Sequence, residues 1–176
     1  MKRGVMERGT IDDKLRHTAS RLLDLCRAQG LLIATAESCT GGLVAAALTE
    51  IAGSSDVVDC GFVTYSNKAK QKMLGVPAAT LSRHGAVSAK TATAMAKGAL
   101  TNSQADISVA ITGIAGPGGG SKRKPVGLVY FAAASRQGRN LLRSRRFGKI
   151  GRQRVRLRSV AEALALLETL AEKAHG

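Results

Sequence analysis

The sequence predicts an α/β fold built on a mixed sheet, and three observations carry that reading. Over the first two-thirds of the chain, short apolar runs bounded by turn residues alternate with longer amphipathic stretches, the pattern of strands joined by helices. Late in the chain, VGLVYFAAAS is followed by RQGRN and LLRSRRF, two strand-like runs around a tight turn. Such a hairpin adds antiparallel pairing to an otherwise parallel sheet. Finally, the 176 residues are 44% hydrophobic but only 3% aromatic, so the core is aliphatic and rich in small residues that suit close helix-on-sheet packing.

The elements follow in chain order. Asp12 to Gln29 reads as an amphipathic helix, with Ile11, Leu15, Ala19, Leu22 and Cys26 near helical spacing. Thr10 or Asp12 can cap it, and Gly30 follows its end. LLIATAES is then a buried strand, and TGGLVAAALTEIAGSS a helix that starts at the glycines and closes at Gly53. Cys60 to Ser66 is a second strand containing the β-formers Val63 and Tyr65; Asn67 caps the next helix and Gly75 stops it. Beyond Pro77 a short segment leads through RHGAVS to a helix from Ser88 to Asn102. ADISVAITGIAG is a strand running into the glycine-rich basic loop GIAGPGGGSKRKPVG. A long helix from Gly151 to His175, with Val160, Leu164, Leu167 and Leu170 on its apolar face, closes the chain. Residues 1–11 are expected to be a tail and residues 12–176 a single domain.

Composition narrows the function. Cys26, Cys39 and Cys60 are an odd, scattered set, and His17, His84 and His175 do not cluster. That argues against a disulfide framework and a zinc site, and no metal or cofactor is expected. The opening MKRGVMERGT is basic but lacks a following apolar segment, and no apolar run approaches the ~20 residues of a membrane span. The expectation is a soluble, cytoplasmic protein with reduced thiols. A net charge of +15, from 27 Lys and Arg against 12 Asp and Glu, raises nucleic acid as a partner. Much of the excess is local, however, in SKRKP and RSRRFGKIGRQRVRLR, and the few aromatics leave no stacking platform for single strands. A small phosphorylated molecule is the favoured partner; self-association is left open.

Three stretches carry candidate chemistry. In ESCTGG, Ser38 and Thr40 fall between a strand and a helix N-terminus, where backbone N–H groups lack partners and the dipole is positive. Either hydroxyl could simply cap the helix. Two adjacent glycines weaken a helix start, so capping leaves Gly41 and Gly42 unexplained, whereas an anion or nucleophile site uses them for close approach to the backbone. Glu37 is unusual at the end of a buried strand, and Cys39 is an alternative nucleophile. TYSNKAKQK offers Tyr65 followed by Lys68, Lys70 and Lys72, of which Lys68 and Lys72 suit a solvated helix face. TGIAGPGGGSKRKPVG ends a strand in glycine-rich backbone suited to phosphate, but matches neither GxxxxGK[ST] nor GxGxxG. No GxSxG turn occurs, and the Ser-x-x-Lys of Ser121 and Lys124 lies in a loop where it is a chance match.

Together, TAESCTGGLVAAAL, GFVTYSNKAKQKMLGV with HGAVS, and AITGIAGPGGG…KPVGLVYFA resemble, in order and spacing, the CinA C-terminal domain family over about residues 12 to 172. The resemblance implies a three-layer α/β/α domain that, in stand-alone members, deamidates nicotinamide mononucleotide to nicotinic acid mononucleotide and ammonia without a metal. It implies Ser38 as nucleophile, Tyr65 and Lys70 as its activating partners, and Arg152 and Arg156 as a basic pair. Gly151 stands where the family often has an acid just before the first arginine. In this scheme Lys70 serves as a neutral base and Tyr65 relays its proton. N–H groups near Thr40 and Gly41 stabilise the oxyanion. Glu37, Gly42, Thr112, Gly113 and Gly116 join Thr40, Gly41, Arg152 and Arg156 as expected substrate contacts, with the glycine-rich loop taking the phosphate. A nucleotide-binding module without catalysis and a basic nucleic-acid-binding protein are the competing readings.

Overall fold

Every residue of β1 (Ile33–Glu37) is buried, as expected for the middle of a sheet covered on both faces. The computed structural model, which describes residues 11–173, places β1 between β2 (Val58–Val63) and β3 (Ile107–Gly113), both parallel to it. β4 (Leu128–Ser135) runs antiparallel to β3, and β5 (Asn140–Arg146) antiparallel to β4, giving the order β2-β1-β3-β4-β5. The fold is therefore α/β with a mixed sheet, as the late hairpin predicts.

Helices cover both faces. α1 (Asp13–Gln29), α2 (Leu43–Thr49) and α6 (Arg152–Glu172) pack Leu22, Leu48, Val160, Leu164 and Leu167 with Ile33, Val109, Ile111 and Phe131. On the other face, α3 (Asn67–Leu74), α4 (Ala78–His84) and α5 (Ala89–Thr101) meet strands that offer alanines: Ala34, Ala36, Ala110, Ala132 and Ala134. Small residues let α5 lie close, and a Cβ at Gly98 would fall 1.9 Å from the Leu74 carbonyl oxygen.

Local chemistry revises several boundaries. Asp12 caps α1, its Oδ1 accepting from the Leu15 N–H at 2.8 Å. The alternative cap Thr10, most of the expected tail, and the last helix beyond Lys173 to His175 lie outside the described residues. α2 begins at Leu43 rather than at the glycines, because Gly41 (φ 60°) and Gly42 (φ 97°) are left-handed. Its expected run to Gly53 stops at Thr49, followed by a 3₁₀ turn at Ser54–Asp56. β2 ends at Val63, so Tyr65 sits beyond the strand, and Ser66 rather than Asn67 caps α3 by accepting from the Ala69 N–H at 3.0 Å. The segment after Pro77 is helical as α4.

Candidate active site

The register aligns the C-terminal ends of the parallel strands. Glu37 is level with Val63 on one side and Ile111 on the other, so Ser38, Thr64 and Thr112 emerge along one edge of the sheet. Open α/β sheets bind ligands at that edge. A cleft of about 290 Å³ opens there, lined by Ser38, Cys39, Tyr65, Lys70, Arg152 and the backbone from Thr112 to Gly116.

Ser38 faces Lys70. The lysine, in the first turn of α3, is 1% exposed. Its Nζ donates to Ser38 Oγ at 2.9 Å and to the Thr64 carbonyl at 2.7 Å, and no described carboxylate pairs with it. Burial pushes its pKa below the ordinary 10.5, because desolvation penalises the ammonium. Once neutral, the amine keeps a hydrogen for Thr64 and turns a lone pair toward the serine hydroxyl. Burial also pushes the Cys39 thiol up to about 12, leaving it protonated.

Glu37 does not face the cleft. It is completely buried, and its carboxylate accepts from the N–H groups of Gly42 at 3.0 Å, Val44 at 3.1 Å and Ala45 at 2.9 Å. The acid thus occupies the N-terminus of α2, where charge-assisted bonds and the dipole offset its burial. The two glycines make this possible, since the chain must reverse through left-handed backbone to bring α2 over the acid. Glu37 and the Gly42 N–H, both expected to contact substrate, are bonded to each other at 3.0 Å.

The expected oxyanion donors shift as well. The Gly41 N–H is spent on the Ser38 carbonyl at 3.1 Å, and Thr40 Oγ1 is buried without a partner. Beside the serine, the Thr40 N–H has no acceptor among the described residues, and the Cys39 N–H meets only its own thiol. Arg156 stands behind this turn, donating from Nη2 to the Thr40 carbonyl at 2.8 Å, so it supports the turn.

Tyr65, 61% exposed, accepts from Arg152 Nη2 at its hydroxyl at 2.8 Å rather than meeting Lys70. Arg152 Nη1 donates to the Gly116 carbonyl at 2.9 Å, so it ties Tyr65 to the glycine-rich loop. Thr112 is nearly buried and donates its hydroxyl to the Ala86 carbonyl at 2.7 Å, fixing the opposite wall and leaving little of the side chain for substrate. A Cβ at Gly113 would approach Val129 Cγ2 to 2.7 Å, and one at Gly116 (φ 82°) would approach Val126 Cγ1 to 2.6 Å; the Gly116–Pro117 peptide is cis.

The Thr64 carbonyl and the Ala86–Val87 wall escape the sequence reading. A carbonyl ligand has no side-chain signature, although HGAVS already stands among the resembling stretches. Among the described residues, no three His, Cys, Asp or Glu side chains converge as a metal site, and no helix is long and apolar enough to cross a membrane.

Comparisons with known proteins identify the family and the fold. The profile of the CinA C-terminal domain matches residues 15–171. The nicotinamide-nucleotide amidohydrolase PncC of Escherichia coli K12 is 47% identical over 89% of this chain and 94% of its own length. A CinA-like protein of Synechococcus sp. is 51% identical over 90% of this chain. The chain spans only 28% to 37% of the longer curated relatives of this kind. The crystal structure of the competence/damage inducible protein CihA from Agrobacterium tumefaciens superposes with a TM-score of 0.90 at 54% identity, covering 91% of this chain and 97% of that one.

Proposed function

This chain belongs to the CinA C-terminal domain family, and on that premise we propose that it hydrolyses the carboxamide of nicotinamide mononucleotide to nicotinic acid mononucleotide and ammonia. The observation that carries the reading is the buried Lys70 amine 2.9 Å from Ser38 Oγ. The similarity to the E. coli amidohydrolase over nearly its full length supports the substrate class. The proposed catalytic unit is residues 12–176, within which the family match covers residues 15–171.

A serine hydroxyl attacks an amide only when a base takes its proton. Neutral Lys70 takes it as Ser38 Oγ bonds to the carboxamide carbon. The Cys39 and Thr40 N–H groups receive the oxyanion, on the side where Arg156 holds the turn. The lysine then protonates the departing nitrogen, the carbon–nitrogen bond breaks and ammonia leaves; water attacks the ester with Lys70 again as base, and the Ser38 Oγ–carbon bond breaks as Lys70 returns the proton to Ser38, releasing the acid. Tyr65, held by Arg152, lines the mouth and steers the substrate there, replacing the expected proton relay. The glycine-rich loop and the basic residues near it, Lys124 apart, take the 5′-phosphate. The three cysteines are free, which suits a reducing cytoplasm.

Ammonia release from nicotinamide mononucleotide tests this reading. Steady release by the purified protein is expected. Its absence, with the substrate still bound, would favour a nucleotide-binding module without catalysis.

A further inference from the structure

Between β3 and β4 the chain rises as an arch that forms one wall of the cleft. Its base is closed by main-chain bonds, Gly127 N–H to the Ile114 carbonyl and Ile114 N–H to the Leu128 carbonyl. Above the base it contains Gly116, Gly118, Gly119 and Gly120, and apart from Pro117 and Pro125 little in the backbone itself stiffens it. The facing wall is the link between α4 and α5, which brings Ala86 and Val87 to the cleft.

Two basic side chains hold the arch from different sides. Arg152 reaches from α6 to the Gly116 carbonyl. Lys124, on the far limb, donates from Nζ to the His84 carbonyl at the end of α4 at 2.7 Å. The turn carrying Lys124 is itself closed twice, by Ser121 N–H to the Lys124 carbonyl at 2.8 Å and by Lys124 N–H to Ser121 Oγ at 3.1 Å. Pull on the lysine therefore reaches the arch through a braced turn. A cation also suits the negative end of a helix. Gly85, next along, leaves room for it: a Cβ there would stand 3.0 Å from Lys124 Nζ, and its φ of 74° already disfavours a side chain.

We infer that Lys124 is a positioning residue, a latch from the glycine-rich arch to the end of α4 that fixes the width of the cleft in which the amide is cleaved. The catalytic part of this inference rests on the proposed deamidation; the latch itself does not. Lys124 lies outside the Ser38–Lys70 contact, so loosening it acts on substrate capture more than on bond breaking.

Two readouts test it on the full-length protein, with Lys124→Met and Lys124→Arg. Without substrate, amide hydrogen exchange in residues 113–127 should quicken in Lys124→Met and return toward the original rate in Lys124→Arg, whose guanidinium can also donate to a carbonyl. With nicotinamide mononucleotide, Lys124→Met should raise KM by about tenfold, the order of one charged hydrogen bond, with kcat little changed. Nicotinamide riboside, which lacks the phosphate, is followed as substrate or competitive inhibitor and should weaken equally. Unchanged exchange in Lys124→Met overturns the latch. A loss seen with the mononucleotide but not the riboside also overturns it, by assigning Lys124 to the phosphate. A protein that releases no ammonia fails the proposed function, while the exchange measurement still decides the latch.

Discussion

In the proposed mechanism Lys70 serves as the base because of where its amine is kept. A lysine buried against a hydroxyl and a carbonyl, with no carboxylate beside it among the described residues, is charged only at a cost that the protein lowers by releasing the proton. The direction of the shift sets the pH profile. Below the lowered pKa the amine is protonated and inactive; above it the amine is free, so activity should rise with pH and level off before the ordinary lysine value of 10.5. A kcat profile over pH 6 to about 10 checks this, and a profile flat across the range would contradict it. Lys70→Arg keeps the charge but never frees a lone pair, and its larger head must enter a site with no spare exposure. We expect at least a thousandfold loss in kcat, in the range of about 10²- to 10⁴-fold that general-base catalysis supplies, as severe as Lys70→Ala.

At the scale of the element, the opening of α2 explains the ESCTGG sequence. Glu37, Gly41 and Gly42 act as one device: the glycines turn the chain, and the acid receives three N–H groups of the turned segment. Ser38 is thereby held at the start of a fixed turn. Glu37→Ala should destabilise the protein by about 3 kcal/mol, since buried donors lose a charged acceptor, and Glu37→Gln by less because one oxygen still accepts. Denaturant unfolding of the two variants measures this, and an unaltered midpoint for Glu37→Ala would refute the role. The sequence exposes the acid and the glycines as unusual but not what they do. A carboxylate that points back into its own loop looks the same in sequence as one that points at a ligand. Helix α4 was hidden for another reason: seven residues after a proline, with Leu81 alone buried, show no periodicity to read. The end of β2 was blurred because Thr64 and Tyr65 are good strand formers that the structure uses in a connection.

For the molecule as a whole, alternation and the late hairpin were enough to give a mixed α/β sheet, and Ser38 and Lys70 were legible through the resemblance of their flanking stretches. Their meeting was not legible from spacing alone. It depends on β1 and β2 ending level, with Glu37 opposite Val63, and strand register is a property of the assembled sheet. The charge of +15 also acts at this scale. Some of it is internally paired, as in Arg143 and Arg145 with Glu162, yet the excess still leaves a field that draws in an anionic substrate. Accordingly kcat/KM for the mononucleotide should fall as salt rises from about 10 mM to about 1 M, where the screening length shrinks from ~30 Å to ~3 Å. Nicotinamide riboside, a cation that lacks the phosphate, should show no such fall. Equal salt responses, measured by initial rates, would remove the steering role.

The identity of the nucleophile is the claim on which the rest depends, and single-turnover ammonia release from nicotinamide mononucleotide by Ser38→Ala, set beside Cys39→Ser, tests it most directly. The account predicts that Ser38→Ala stays folded and falls to the uncatalysed background, while Cys39→Ser keeps most of the rate, since the thiol it replaces is held protonated. Ammonia release by Ser38→Ala at a rate near that of the unaltered protein, or its loss only in Cys39→Ser, would contradict it.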